Sequence, residues 1–595
     1  MKKLLEVISE EMQSVFEAAG YGEAEAGSRL GRVTLSNRPD LCEYQCNGAM
    51  AGARKFKKAP IMIANEIAEK LQGSRIFSQV EAVPPGFLNL KISEEFLKEY
   101  LQDMCRAEKF GLEMPPKPRK IIIDYGGANV AKPLHVGHLR SAVIGESIKR
   151  ICRYAGHEVI GDVHLGDWGL QMGLVIMGVK ERSPELVYFD DSYAGEYPEE
   201  APFTISELEE IYPASSAKSK ADPEYKAQAM EATYKLQNGV RGYRALWRHI
   251  MNVSVADLRK NYGSLNVEFD LWKGESDVQE LIPEMVQYMK DGGYAYISEG
   301  ALVVDVKEET DTKEMPPCMI LKSDGASLYN TTDLATIMER MRLYHPDQMI
   351  YLTDKRQDLY FEQVFRCARK TKLVEPETEL KWIGFGTVNG KDGKPFKTRD
   401  GGVMRLETLI QDTKEEMFRK IKEGREMSDE EARTVADMVA VSALLYGDLS
   451  NQASKDYIFD LDRFTSFEGD TGPYILYTIL RIKSILSKHA EQGGSLAEED
   501  LVLQAAAGDA QKQLMMQLAG FNAMMESACE ETAPHKVCAF IYDLANAFNH
   551  FYHETKILAE EDEKQKKSLI ALLILTRDVL EACIDVLGFQ APDKM

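Results

Sequence analysis

The sequence predicts an α/β protein: a central parallel sheet with helical crossovers, preceded by a small α+β domain and followed by an all-α domain. Three observations carry this. From residue 121, short apolar runs alternate with stretches of helical length, as parallel strands joined by crossovers require. Residues 1–115 mix helical periodicity with a strand-like FLNLKI at 87–92. Beyond about residue 405 the strand signals fade, and five or six helical stretches follow.

In chain order, a helix is expected over roughly 3–19, and the Pro- and Lys-rich MPPKPRK at 114–120 reads as a linker. IIIDY at 121–125 is a short apolar strand. The stretch PLHVGHLRSAVIGESIKRICRYAG is helical, opened by Pro133 and ended by Gly156. HEVIGDVHL is strand-like again. Then come ALVVDV at 301–306, a helix near 331–343, QMIYLTD at 348–354, a helix near 359–372 and LKWIGFGTV at 380–388. Residues 188–295, mostly polar and helical, read as an insertion. The expected domains are 1–115, 116–405 with that insertion, and 406–595, with Pro473 and Pro534 near helix starts.

Composition narrows the function classes. The 44% hydrophobic and 28% charged residues are an ordinary globular mix. The net charge of −23 gives no blanket attraction to nucleic acid, so an RNA-binding surface must be local and basic. Nine scattered cysteines without a C-x-x-C pair point to reduced thiols in a cytoplasmic protein. Cys42 and Cys46 lack the second pair that a structural zinc site needs. No apolar run reaches the ~20 residues of a membrane span. The N-terminal segment turns acidic with helical periodicity, which fits a folded helix and not a signal peptide.

The strongest local signal is His135-Val136-Gly137-His138, just past an apolar strand and at a helix start. Imidazoles at i and i+3 share a helix face. A helix N-terminus favours anions through free N–H groups and its dipole. Gly137 leaves room for a nucleotide against the backbone. Together these suit a triphosphate on which charge builds during attack at phosphorus. Farther on, Lys394, Lys397 and Arg399 crowd positive charge among glycines in GKPFKTRDGG, a loop able to close on departing pyrophosphate.

These motifs resemble the class I aminoacyl-tRNA synthetases. HVGH corresponds to their "HIGH" motif, and NVAKPLHVGHLRS at 129–141 is similar to the arginine-specific branch. HLGDWGLQMG at 164–173, FDLWKGES at 269–276, SLYNTTDLA at 327–335, GKPFKTRDGG at 393–402 and FEGDTGPYILYTILR at 467–481 follow in the family's order. The resemblance spans nearly the whole chain. It implies a Rossmann-like doubly wound catalytic domain, an N-terminal tRNA-contacting domain and a helical anticodon-binding domain. The implied activity is ATP-dependent arginine–tRNA ligation. ATP, Mg2+ carried with it, arginine and tRNA(Arg) are the implied ligands, with no metal held by the protein. From the sequence itself no membrane is expected, and a monomer is expected because nothing in it demands a dimer.

The resemblance also assigns roles. His135, His138, Lys132 and Lys397 are the expected catalytic residues, and His135, Gly137, His138, Lys394 and Lys397 the expected ATP contacts. KPFKTR departs from the family's "KMSKS" loop, with Thr398 near the usual second lysine. Lys132 matches a lysine thought to compensate. Asp124, Asn129, Glu275, Tyr329, Asp333 and Gln357 are the expected arginine contacts. A guanidinium is a planar fork of five donors, which paired carboxylates satisfy. Tyr329 and Asp333, four apart, would share a helix face. Asp124 stands where the family usually has Glu, and Gly126-Gly127-Ala128 replaces its Ser-Ser-Pro. For tRNA, the resemblance implies Asn89, Tyr474, Tyr477 and Met595. A different adenylate-forming ligase using H-x-G-H, or a synthetase-like protein that binds tRNA without catalysing, remain the alternatives.

Overall fold

The structure is a computed structural model and describes residues 1–22, 29–396, 404–423, 427–497 and 502–594. It divides into two compact units. One comprises Met1–Met114 with Tyr474–Asp585 and Gln590–Met595, the other Pro115–Pro473 with Val586–Phe589.

In the first unit, strands Val33–Leu35, Tyr44–Cys46, Phe87–Ile92 and Phe77–Val83 form, in that order, a four-stranded antiparallel sheet. Phe87–Ile92 alternates half-buried and buried residues, as a strand covered on one face should. Helices Asp509–Ala519, Phe521–Glu530 and Pro534–Glu554 belong to the same unit, as does Glu563–Leu587 up to Asp585. Lys512 ties them to the sheet: its Nζ donates to the Ile92 carbonyl at 2.7 Å and pairs with Glu43 at 2.8 Å.

The second unit is built on a five-stranded parallel sheet. Its strands are β1 (Lys120–Asp124), β2 (Glu158–Leu165), β3 (Leu271–Gly274), β4 (Gln348–Asp354) and β5 (Glu379–Phe385), in spatial order β5-β4-β1-β2-β3. β1 and β4 read as nearly unbroken apolar runs because helices cover both faces. Helix α1 (Val136–Tyr154) crosses from β1 to β2. It ends in a Schellman motif, with Gly156 at φ +93° and the His157 N–H on the Cys152 carbonyl. Also in this unit are α2 (Arg241–Gly263), α3 (Tyr329–Tyr344), α4 (Asp358–Lys370) and α5 (Asp429–Leu449).

Two details differ from the sequence reading. ALVVDV lies outside the parallel sheet: Ala301–Val304 is the middle strand of a separate antiparallel sheet, between Ala295–Ser298 and Cys318–Leu321. The fifth parallel strand is β3, inside FDLWKGES, a stretch too short and too polar to announce itself by periodicity. Chain order and space also reverse at β1: β2 and β3 lie on one side of it, β4 and β5 on the other. In an open α/β sheet that switch point, beyond the carboxyl ends of the strands, is where ligands bind.

Candidate active site

A cavity of about 640 Å³ opens there, lined among others by Asp124 from β1, His164 from β2, Glu275 just after β3, and Asp354 and Gln357 at and after β4. His135, Gly137 and His138 line it from the start of α1, and Tyr329 and Asp333 from the start of α3.

At the α1 end, His135 is the N-cap residue, in extended conformation. Its Nδ1 accepts from the Gly137 N–H at 3.0 Å, while its own N–H donates to His138 Nδ1 at 3.0 Å. With each Nδ1 an acceptor, the neutral rings carry their protons on Nε2, which is left to donate. Burial, then Lys132, pulls the His135 pKa down; burial, then His135, pushes that of His138 down to about 3. Both rings, 3.9 Å apart between centroids, are therefore neutral donors near pH 7. Gly137 has a second use: a Cβ there would fall 2.8 Å from His135 Cε1. The free helix-start N–H groups expected from sequence are already engaged. Val136 donates to the Met404 carbonyl, Gly137 to His135 Nδ1 and His138 to the His135 carbonyl. Anion affinity at this end thus rests on the imidazole N–H groups and the helix dipole.

Asn129 lies where the chain leaving β1 bridges to Gly166, and a Cβ on Gly166 would fall 2.2 Å from Asn129 Oδ1. Next to it Ala131 adopts φ +58°, a left-handed conformation costly for alanine. Its N–H is held by Ser254 Oγ at 3.0 Å.

The carboxylate end is assembled from distant segments. Asp124 Oδ2 and Asp162 Oδ2 both accept from Nη2 of the buried Arg340 on α3, at 2.6 and 2.7 Å. Asp124, Asp162 and His164 lie close enough to hold a metal ion, but Arg340 already occupies one oxygen of each carboxylate with a charged donor. Among the described residues, neither ring nitrogen of His164 has a hydrogen-bond partner. Burial, reinforced by Asp167, raises the Glu275 pKa to about 7. Burial also raises that of Asp333, whose Oδ2 accepts from the Tyr360 hydroxyl. Tyr329, 70% exposed, stands at the mouth.

The wall formed by Gly386, Thr387 and Val388 after β5 is fixed by the buried Arg140. Its Nη1 donates to the carbonyls of Gly386 (2.9 Å) and Lys455 (2.7 Å), and its Nε pairs with buried Asp448 at 3.2 Å.

The cavity therefore gathers His135, Gly137, His138, Asp124, Asn129, Glu275, Tyr329, Asp333 and Gln357. Lys132 is not on its lining; its ammonium sits 4.5 Å from the centre of the Tyr212 ring. Lys394 is exposed on the turn after Val388–Asn389, outside the lining. Lys397 and Met595 fall outside the described residues. Asn89, Tyr474 and Tyr477 belong to the other unit. Asn89 Oδ1 accepts from Gln45, the Tyr474 hydroxyl is held between Asn546 and Asn549, and Tyr477 is 39% exposed under Arg481. Sequence reasoning passed over Arg340, His164, Tyr360 and the Arg140–Asp448 pair. Arg140 stood inside NVAKPLHVGHLRS and His164 opens HLGDWGLQMG, whereas Arg340, Tyr360 and Asp448 carried no local signal.

A doubly wound sheet with a paired-imidazole helix start over its switch point defines the catalytic core of a class I aminoacyl-tRNA synthetase, and residues 103–461 match the "tRNA synthetases class I (R), catalytic domain". Residues 2–92 match the arginyl tRNA synthetase N-terminal domain and 475–595 the DALR anticodon binding domain. The chain belongs to the arginyl-tRNA synthetase family. It is 63% identical to the arginine–tRNA ligase of Agathobacter rectalis and 55% identical to that of Alkaliphilus oremlandii, over 100% of each chain. In fold it is similar to the arginyl-tRNA synthetases of Plasmodium falciparum (TM-score 0.80, 24% identity, 99% of both chains) and Thermus thermophilus (TM-score 0.76, 22% identity, 100% of both chains).

Proposed function

We propose that this cavity joins arginine to ATP, with the roles of its residues divided between the imidazole and carboxylate ends. The chain is an ATP-dependent arginine–tRNA ligase. The arginine carboxylate attacks the α-phosphorus of ATP, and pyrophosphate leaves. A ribose hydroxyl of the terminal tRNA adenosine then takes the arginyl group, and AMP leaves. The observation that carries the reading is one cavity lined both by neutral imidazole donors and by Asp124, Glu275 and Asp333. A triphosphate and a guanidinium need opposite surroundings, and both are present.

His135 and His138 donate from Nε2 to the phosphates, and stabilising charge that grows in the transition state is where catalysis gains most. Lys132, Lys394 and Lys397 supply positive charge to the departing pyrophosphate, and Mg2+ arrives with ATP. Asp333 and Glu275 accept from the guanidinium, with Tyr329 at the mouth. Asn129 and Gln357 are the further polar contacts, and Asp124, held by Arg340, keeps one oxygen for the substrate. In the other unit, Asn89 contacts the tRNA elbow, and Tyr474, Tyr477 and Met595 meet the anticodon, where aromatics can stack on splayed bases. The N-terminal 1–115, catalytic 116–405 and anticodon-binding 406–595 divisions are part of the proposal. So are a monomeric state and a cytoplasmic location; among the described residues no helix is long and apolar enough to cross a membrane.

ATP–pyrophosphate exchange, with and without tRNA, tests the reading. Exchange that depends on arginine is expected. Exchange with another small acid would identify a different adenylate-forming ligase. Retained tRNA binding without exchange under either condition would identify a protein that no longer catalyses.

A further inference from the structure

The carboxylate of Asp333 does not stand alone. Tyr360 lies on the first turn of α4, is absent from the cavity lining, and donates its hydroxyl to Asp333 Oδ2. We propose that Tyr360 is a positioning residue for arginine recognition, fixing the plane of the Asp333 carboxylate so that its other oxygen faces the guanidinium. This rests on Asp333 being a guanidinium acceptor.

The physical case has two parts. A carboxylate on a short side chain can rotate about its terminal bond, and an oriented acceptor holds a planar fork better than a rotating one. A hydrogen bond donated to the ionised form also favours that form. Burial pushes the Asp333 pKa up, and the Tyr360 hydroxyl opposes that. The other groups around Asp333 are spread over every neighbouring element: Asp124 on β1, His164 on β2, Glu275 after β3, Tyr351 on β4, Cys318 on the antiparallel sheet and Arg340 on α3 itself. His164 and Arg340 favour the ionised carboxylate and Asp124 disfavours it. Tyr360 is the one neutral donor bonded to it among the described residues, so its removal should act on orientation and ionisation together.

The test is Tyr360→Phe in the full-length enzyme, which keeps the ring against Phe361, 5.1 Å away between centroids. A hydrogen bond to a charged group is worth enough that the arginine KM should rise roughly 10- to 100-fold. The ATP KM and the kcat at saturating arginine should stay within about twofold, because uniform binding of arginine is what is lost. The acid limb of kcat/KM for arginine should move to higher pH. In an Asp333→Asn background, Tyr360→Phe should add little, since the two act through one contact. An unchanged arginine KM in Tyr360→Phe, alongside a raised one in Asp333→Asn, overturns the positioning role while leaving Asp333 as acceptor. An unchanged arginine KM in Asp333→Asn overturns the reading on which it rests. Equal losses in the arginine and ATP parameters would mark a merely structural tyrosine and also overturn it.

Discussion

At the imidazole end of the cavity, the lining residues His135, Val136, Gly137 and His138 are consecutive, and the hydrogen bonds accepted by the two imidazoles come from within this run. At the carboxylate end, Asp124, Glu275 and Asp333 come from three segments, and each is fixed or tuned by a residue far away in sequence: Arg340, Asp167 and Tyr360. The first end is a local device, in which the two imidazoles cap the helix start with their own Nδ1 atoms. The second exists only once the sheet is assembled. The titration of the two ends differs in the same way. The histidines are held neutral across the physiological range, whereas Glu275 titrates near 7. Damage at one end should therefore appear in rate, and at the other in arginine affinity and pH dependence.

The largest expected effect sharpens the carboxylate end. A site built on buried acceptors rejects an analogue that cannot satisfy them by roughly 10,000-fold. Citrulline, neutral at that end, should be activated about that much less well than arginine in kcat/KM, whereas canavanine, which keeps a guanidinium-like fork, should still be used. Comparable activation of citrulline would move specificity away from the carboxylates.

Next comes the imidazole end. His138→Ala should slow adenylate formation about 100- to 1,000-fold, the usual cost of one charge-stabilising donor. The arginine KM and tRNA binding should change little. Single-turnover adenylation at the wild-type rate would remove His138 from the chemistry.

The pH dependence separates the ends directly. Glu275 must be ionised to hold a guanidinium, and its pKa in the free enzyme lies at about 7. As pH falls through that value the carboxylate is protonated, so kcat/KM for arginine should fall by up to about tenfold per unit below it. Glu275→Gln should remove that step, lowering kcat/KM above it and leaving only the fall set by Asp333. An unaltered profile in this variant would assign the limb to another group.

The smallest effect concerns Lys132, held over Tyr212 and off the lining. Lys132→Ala should cost about tenfold or less in activation, the scale of one partly exposed charge contact. Its loss should be less than additive with Lys397→Ala if both act on the same phosphate charge. Strict additivity would separate the two lysines.

The same contrast governs how far the sequence could be read. β1, β2, β4, β5 and α1 were legible because apolar runs and helical periodicity are local, and Pro133 and Gly156 punctuate α1. β3 was not, because four residues bounded by polar neighbours carry no period. Ala301–Val304 looked like its neighbours, since an apolar run does not reveal its partner strands. The imidazole pair was visible as a motif, although not that its own hydrogen bonds use up the helix-start N–H groups. The carboxylates could be nominated only through the resemblance. That Arg340 holds Asp124 to Asp162, and that Tyr360 holds Asp333, are contacts spanning from 27 to 216 residues, which no local pattern encodes.

The most direct measurement is the steady-state KM of Asp333→Asn for arginine and for ATP in tRNA charging. The substitution keeps shape and removes charge. The expected result is an arginine KM raised roughly 100-fold or more, as losing a charge-assisted pair in a buried site demands, with the ATP KM nearly unchanged. An unchanged arginine KM, or equal rises for both substrates, would contradict the account.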